Sequence, residues 1–219
     1  MSEHDFEAVR GLPGELPPGE RILWQGAPRW ITLAQEAFHV RAVGGYFGVM
    51  FAWRLVSALA AGQSPPQALG AILLVSPIAL ATLGVLLGLA WLYSRTTVYT
   101  ITDKRVVIRF GVALPKAFNI PFTVVESASV KVLGGGAGDV ALALKAPNKI
   151  AFAHLWPNTR PWRLATPEPT LRALRDVRSA SDALTTAMAD AATIAIVRQP
   201  AQPDRARAGG VAGPDPVAA

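Results

Sequence analysis

The residues able to make or break bonds are few. Cysteine is absent, which removes thiolate zinc sites, iron–sulfur clusters and thiol nucleophiles. Histidine occurs only at His4, His39 and His154, far apart in sequence, so a histidine metal site would have to be assembled by the fold alone. Acids are scattered and none lies inside an apolar run, so neither a Ser/His/Asp set nor a carboxylate pair is suggested. The expectation is a protein that is not an enzyme and carries no cofactor, no metal and no catalytic residue. The run Gly134-Gly135-Gly136-Ala137-Gly138 invites a phosphate-loop reading. It lacks the Lys-Ser/Thr ending of a P-loop and leads into a strand pattern, so it is read as a flexible β-connection. A neutral imidazole at His39 could ligate a bacteriochlorophyll. It precedes an apolar stretch rather than lying in it, and is read as an interface histidine; His154 is read as structural.

The weight of the sequence is elsewhere. Of 219 residues, 51% are hydrophobic and 16% charged, against roughly 25% charged in average soluble chains. Mean hydropathy is +0.32. Residues 42–61 form an apolar stretch with one charge, Arg54, and residues 69–93 form a longer one with none. A bilayer crossing takes about 20 apolar residues, so the pair reads as a transmembrane helical hairpin with a short turn over 62–68. Pro77, after Ser76, is expected to kink the second span. The acidic opening, residues 1–10, lacks the basic and apolar regions of a signal peptide. Arg21, Arg29 and Arg41 precede the hairpin, Arg95, Lys104, Arg105 and Arg109 follow it, and its turn has no lysine or arginine. The positive-inside rule then places both termini in the cytoplasm. Tyr46, Trp91 and Tyr93 flank the spans as interfacial aromatics do.

Around the hairpin the chain divides into a cytoplasmic N-terminal arm, 1–41, the hairpin, 42–93, a soluble domain, 94–192, and a disordered tail, 193–219, rich in Pro, Gly and Ala. Short β-patterned runs cover 96–102, 105–110, 117–121, 124–132, 140–144 and 150–155, with a tight Asp103-Lys104 turn between the first two. A helix is expected from Thr166 as cap, Pro167 at its first position and Glu168 near the dipole. Its packed line runs through Leu171, Leu174, Val177, Ser181, Leu184, Met188 and Ala191, with Arg172, Arg175 and Asp176 off it. The expected fold class is α+β: a two-span helical hairpin plus a cytoplasmic antiparallel β-barrel or sandwich closed by a C-terminal helix.

Tyr99-x-Ile101-Thr102-Asp103-x-Arg105-Val106, Gly111, Ile120-Pro121 and the glycine-rich turn resemble the bacterial PH-domain family. The run 16–30 (LPPGERILWQGAPRW), Phe38-His39-Val40-Arg41 and Arg160-Pro161-Trp162-Arg163 resemble, within it, the PuhB family of photosynthetic reaction-centre complex assembly proteins of purple bacteria. The resemblance covers about residues 12–192. It implies a PH-like domain and an accessory role in building the reaction centre and core light-harvesting complex in the intracytoplasmic photosynthetic membrane. The implied partners are reaction-centre or core antenna subunits. From a different class comes a membrane-anchored PH-like module that binds a lipid surface or a protein without a photosynthetic client. A two-span transporter has no pathway unless it oligomerises.

Candidate contact residues follow from the residues themselves. Gly44-x-x-x-Gly48 and Gly84-x-x-x-Gly88 let helices approach closely; they pack the hairpin on itself or dock another helix, a second copy included, so a homodimer is plausible. Arg54 has no acid in either span; it snorkels to the outer phosphates or meets a client helix, pigment or lipid. In segment 20–24, Ile22 and Trp24 share a face that packs on the soluble domain or, with Trp30, lies on lipid. Arg41 and the other cations suit anionic headgroups or an acidic partner surface. No aromatic–basic pattern for nucleic acid is seen.

Overall fold

The structure, a computed structural model, describes residues 11–198 apart from 13, 148, 149 and 162. His4, the acidic opening, Trp162 and the tail beyond 198 lie outside the described residues. Two long helices, α2 (Val40–Ala60) and α3 (Pro65–Thr96), form the hairpin, preceded by the short α1 (Trp30–Glu36). Among the described residues seven strands build the rest: β1 (Ile22–Gly26), β2 (Val98–Thr102), β3 (Arg105–Phe110), β4 (Lys116–Pro121), β5 (Val125–Val132), β6 (Gly138–Leu144) and β7 (Thr170–Leu174). The one-turn α4 (Phe152–Leu155) lies before β7, and α5 (Val177–Arg198) follows it.

The helix α3 is longer than its apolar core required. Its 32 residues rise about 48 Å at 1.5 Å each, against roughly 32 Å for the 21 residues of α2. At the turn, the Ser64 N–H donates to Gln67 Oε1 at 3.0 Å in a capping box. Pro77 sits inside a helix that runs on through it. Proline lacks the N–H that should reach the carbonyl four residues back; the Ser76 hydroxyl donates to that carbonyl, Leu73 O, at 3.0 Å. Ala68 and Ala79 are buried where α2 and α3 meet. The last three turns of α3 outreach α2 and are covered by α1. There Leu33, Ala34, Ala37 and Phe38 enclose Ala90, with Leu86 and Tyr93 alongside.

The strands form two antiparallel sheets, β1-β2-β3-β4 and β5-β6-β7. Tyr99, Ile101, Val106, Ile108 and Ile120 of the first and Val140, Leu142 and Leu171 of the second enclose one core, closed by Val177, Ala180, Leu184 and Ala187 of α5. The helix-long spacing of those four residues is the apolar stripe of a packed helix. Between β5 and β6 the glycine run makes one tight turn, with Gly135 and Gly136 at φ +68° and +77°, a region that side chains with a Cβ avoid. The Asp103-Lys104 turn forms as expected, and the Thr102 hydroxyl accepts the Lys104 and Arg105 N–H groups at 3.2 and 3.0 Å.

Three expectations are corrected. Residues 166–174 do not begin the helix. Glu168 is buried and pairs with Arg160 and Arg163 at 3.0 and 3.4 Å, and Leu171 and Leu174 lie on β7, whose five residues are all buried. A strand covered on both faces shows no alternation, so its spacing mimics a helix. The helix starts at Val177, where Asp176 Oδ1 accepts the N–H groups of Arg178 and Ser179, both at 3.1 Å. Residues 150–155, read as a strand, hold α4 instead, an ambiguity inherent to short apolar runs. At the far end, α5 continues to Arg198, past the expected tail boundary at 193.

The N-terminal arm is an integral part of the domain. Strand β1 pairs with β2, Trp24 opposite Ile101 and Gly26 opposite Tyr99, which decides the open reading of segment 20–24 in favour of the domain. A bulge between Ile22 and Trp24 breaks the expected shared face: Ile22 stays exposed while Trp24 packs on the core. Glu20, 3% exposed at its side chain, receives a two-pronged bond from Arg105, Nε to Oε1 at 2.9 Å and Nη2 to Oε2 at 3.2 Å. Glu20→Ala removes the acceptor and leaves a half-sheltered guanidinium. We expect a loss of about 2 kcal/mol, read as a lower Tm, whereas an unchanged Tm would mean the arm is held by strand pairing alone.

Candidate membrane and partner interface

Both hairpin helices present apolar side chains outward. Within the most apolar 18 residues of each, only 6% are buried; Trp53 and Leu74 are more than 70% exposed. Helices of a soluble core bury such residues, and monomeric soluble proteins rarely expose apolar patches of this extent. By length and composition both can cross a membrane.

Gly44, Gly48, Gly84 and Gly88 are placed where a Cβ would meet nothing within 4 Å. They therefore do not hold α2 against α3, and the reading that they pack the hairpin on itself is corrected: the buried residues of the two helices are alanines, Ala58 on α2 and Ala68, Ala79 and Ala90 on α3. The four glycines are open notches on the outer surface of the hairpin. Arg54 lies on α2, exposed, about 9 Å along the helix from its end at Ala60. Arg41 is exposed in the first turn of α2, and Trp30, 40% exposed, opens α1. His39 joins α1 to α2 at φ +51°, a left-handed residue that ends one helix and starts the next. His154 is exposed on α4. Arg95 lies over the Trp91 ring at 5.6 Å, a cation–π contact. The candidates are thus not gathered into one site. Trp30, His39 and Arg41 share the domain end of the hairpin, Arg54 lies toward the turn, and Trp24 belongs to the core.

A polar joint that periodicity did not single out ties the hairpin to the sheets. On β7 the register shifts between Gly138 and Val140 of the partner strand, and Ala173 takes φ +53°. That bulge turns the Ala173 N–H onto Asp139 Oδ1 at 2.7 Å and its carbonyl onto the N–H of Arg29 at 2.7 Å, just ahead of α1. Arg172 is buried beside it. Its Nη2 donates to Glu36 O at 2.8 Å at the end of α1, where helix carbonyls lack partners, and its Nε stands 3.7 Å from Asp139 Oδ2. The Arg172 N–H donates to the Tyr99 hydroxyl at 3.2 Å, which donates to Asn158 Oδ1 at 2.7 Å. Complete burial pushes the Tyr99 phenol well above its ordinary pKa, so it remains a donor at any physiological pH. Among the described residues no group of three His, Cys, Asp or Glu is placed to hold a metal.

The apolar hairpin, strands β2 to β7 and the start of α5 are matched by the profile of the bacterial PH domain family, over residues 40–182. The chain belongs to that family. A Rhodobacter capsulatus protein described as an uncharacterized 23.7 kDa protein in the puhA 5' region is 38% identical over 195 residues, covering 85% of this chain and 89% of the relative. No solved structure matches. In this bacterial PH domain protein the family match begins at the first residue of α2, so the hairpin is inside the matched unit. The joint could have been suspected from two lone charges in apolar strand sequence, Asp139 in GDVALAL and Arg172 in TLRAL. Charges are almost never fully buried unless paired.

Proposed function

We propose that the protein is a non-enzymatic membrane assembly factor, of the PuhB type, for the photosynthetic reaction centre and core light-harvesting complex of a purple bacterium. The observation that carries this reading is the near full-length similarity to a protein named for the puhA region, a photosynthesis gene region. The hairpin crosses the photosynthetic inner membrane and holds newly inserted subunit helices at its outward glycine notches. Arg54, Trp30 and Arg41 are contacts to such a client or to lipid.

Pairing of β1 with β2 across the hairpin supports an even number of crossings, and the charges at its two ends support cytoplasmic termini. In spheroplasts a membrane-impermeant maleimide should label Gln63→Cys in the hairpin turn and should reach Ser179→Cys on α5 only after lysis. The reverse pattern would invert the topology.

Deleting the gene should lower reaction-centre and core-antenna accumulation several-fold, both during induction and at steady state, without abolishing pigment synthesis. Residual complexes should show normal photochemistry, because the protein supplies no catalytic group. Normal accumulation throughout would leave a membrane-anchored PH-like binding module without a photosynthetic client.

A further inference from the structure

Beside the joint lies a cavity of about 220 Å³ that the assembly reading does not use. It opens between the α1–α2 junction, the α4 segment and β7. Its polar lining comes from His39, Thr159 and Arg172, and its apolar lining includes Phe152, Trp156 and Leu164. No acidic side chain lines it among the described residues. Asp139, the counter-charge of Arg172, lines a different depression, with Lys131 and Arg160. Arg172 is 5% exposed. Beyond the bond to Glu36 O and the approach to Asp139, its guanidinium makes no further hydrogen bond among the described residues, and its Nε is buried without one. A buried guanidinium with unused donors requires acceptors.

The position of the cavity narrows what those acceptors belong to. Ala37 and His39 of its wall lead directly into α2 at Val40. The Trp156 ring meets Phe38 edge-on at 5.7 Å, and its carbonyl accepts the Tyr93 hydroxyl at 3.3 Å. The cavity therefore stands where the apolar hairpin ends, at headgroup level for a crossing hairpin. Its rim carries Trp156 and Leu164, 48% and 67% exposed, apolar groups suited to glycerol and the first methylenes of an acyl chain.

We propose that this cavity binds the phosphate of an anionic membrane lipid, with Arg172 and His39 toward the phosphate and Trp156 and Leu164 against its chains. The site goes beyond the assembly role. It depends on the hairpin crossing the membrane, not on any client, so it stands or falls separately from the deletion result.

The test uses the full-length protein in dodecyl maltoside. Probes are dihexanoyl-phosphatidylglycerol, dihexanoyl-phosphatidylcholine and inorganic phosphate, with bound lipid read by native mass spectrometry and affinity by calorimetry. Phosphatidylglycerol should bind saturably at one site, about tenfold tighter than phosphatidylcholine, whose ammonium offsets the phosphate charge. Leu164 is exposed, so charging it spares the fold: both Leu164→Glu and Leu164→Arg lose the apolar contact, but Leu164→Glu should bind phosphatidylglycerol about tenfold more weakly than Leu164→Arg. Arg172→Gln combined with Asp139→Asn, which keeps the buried pair neutral, should abolish the preference for the anionic lipid. Equal binding of the two lipids, or indifference to the sign of charge at 164, would overturn the proposal. Inorganic phosphate competing as well as the lipid would also overturn it, by assigning the cavity to free phosphate.

Discussion

Replacing Asp139 by alanine is expected to cost the domain roughly 3–5 kcal/mol, the usual consequence of stranding a buried partner charge. Three losses coincide. Arg172, 6% exposed at its side chain, keeps its charge without its counter-ion. The Ala173 N–H loses its 2.7 Å acceptor, and the left-handed conformation at Ala173 loses the contact that holds it. Against a total stability of 5–15 kcal/mol for typical domains, the variant sits near unfolding and its Tm should fall by more than 10 °C. Asp139→Asn retains an oxygen acceptor and should lose less. In a double-mutant cycle, Arg172→Met should be much less harmful on the Asp139→Ala background than alone, because the stranded charge is gone. Additive costs would show that the two side chains are not coupled and that the joint is held by backbone bonds alone.

The second large effect is expected at the outer notches of α3. Gly84→Leu with Gly88→Leu fills open space, since apart from its chain neighbours and the adjacent backbone of α3 no heavy atom lies within 4 Å of either added Cβ. The protein's own fold, accumulation and Tm should therefore be unchanged. If a client helix docks there, two isobutyl groups prevent the close backbone approach that small residues permit, and recovery of reaction-centre or antenna subunits with the purified protein should fall at least about tenfold, or 1.4 kcal/mol. Wild-type recovery would remove these notches from the docking surface. The same pair in Gly44 and Gly48 reports whether α2 contributes independently.

The parts of this molecule that follow a local rule were legible in its sequence. Two long apolar runs, the Asp103-Lys104 turn and strands β3 and β4 each carry their own signal in composition or turn chemistry. What was hidden depends on partners distant in the chain. Residues 170–174 read as helix because one face of β7 enters the core between the sheets and the other meets α1, and a strand buried on both faces loses its alternation. The joint was hidden for the same reason: Asp139, Arg172 and Tyr99 are brought together by sheet pairing and by a bulge that no spacing rule announces. The glycine motifs were visible as motifs, but only the helix rotation set by the alanines shows which way they point. The cavity at His39 was visible only as a histidine beside a span; its walls come from residues more than 110 positions later.

The strand pairing around the hairpin also dictates an order of events at the ribosome. Strand β1 is synthesised first and its partner β2 only after the 71 residues 27–97, which include both long helices. At 5–20 residues per second that is a wait of roughly 4–14 s, during which β1 has no native neighbour. For a hairpin that crosses the membrane as proposed, closure of the first sheet thus requires that both helices have already been delivered and that the chain has returned to the side it left. A hairpin inserted by one helix only would hold β1 and β2 on opposite sides of the bilayer, with β2 displaying an unpaired edge. Under the proposed topology, completion of the domain is in this way a record of correct insertion, written in the backbone itself.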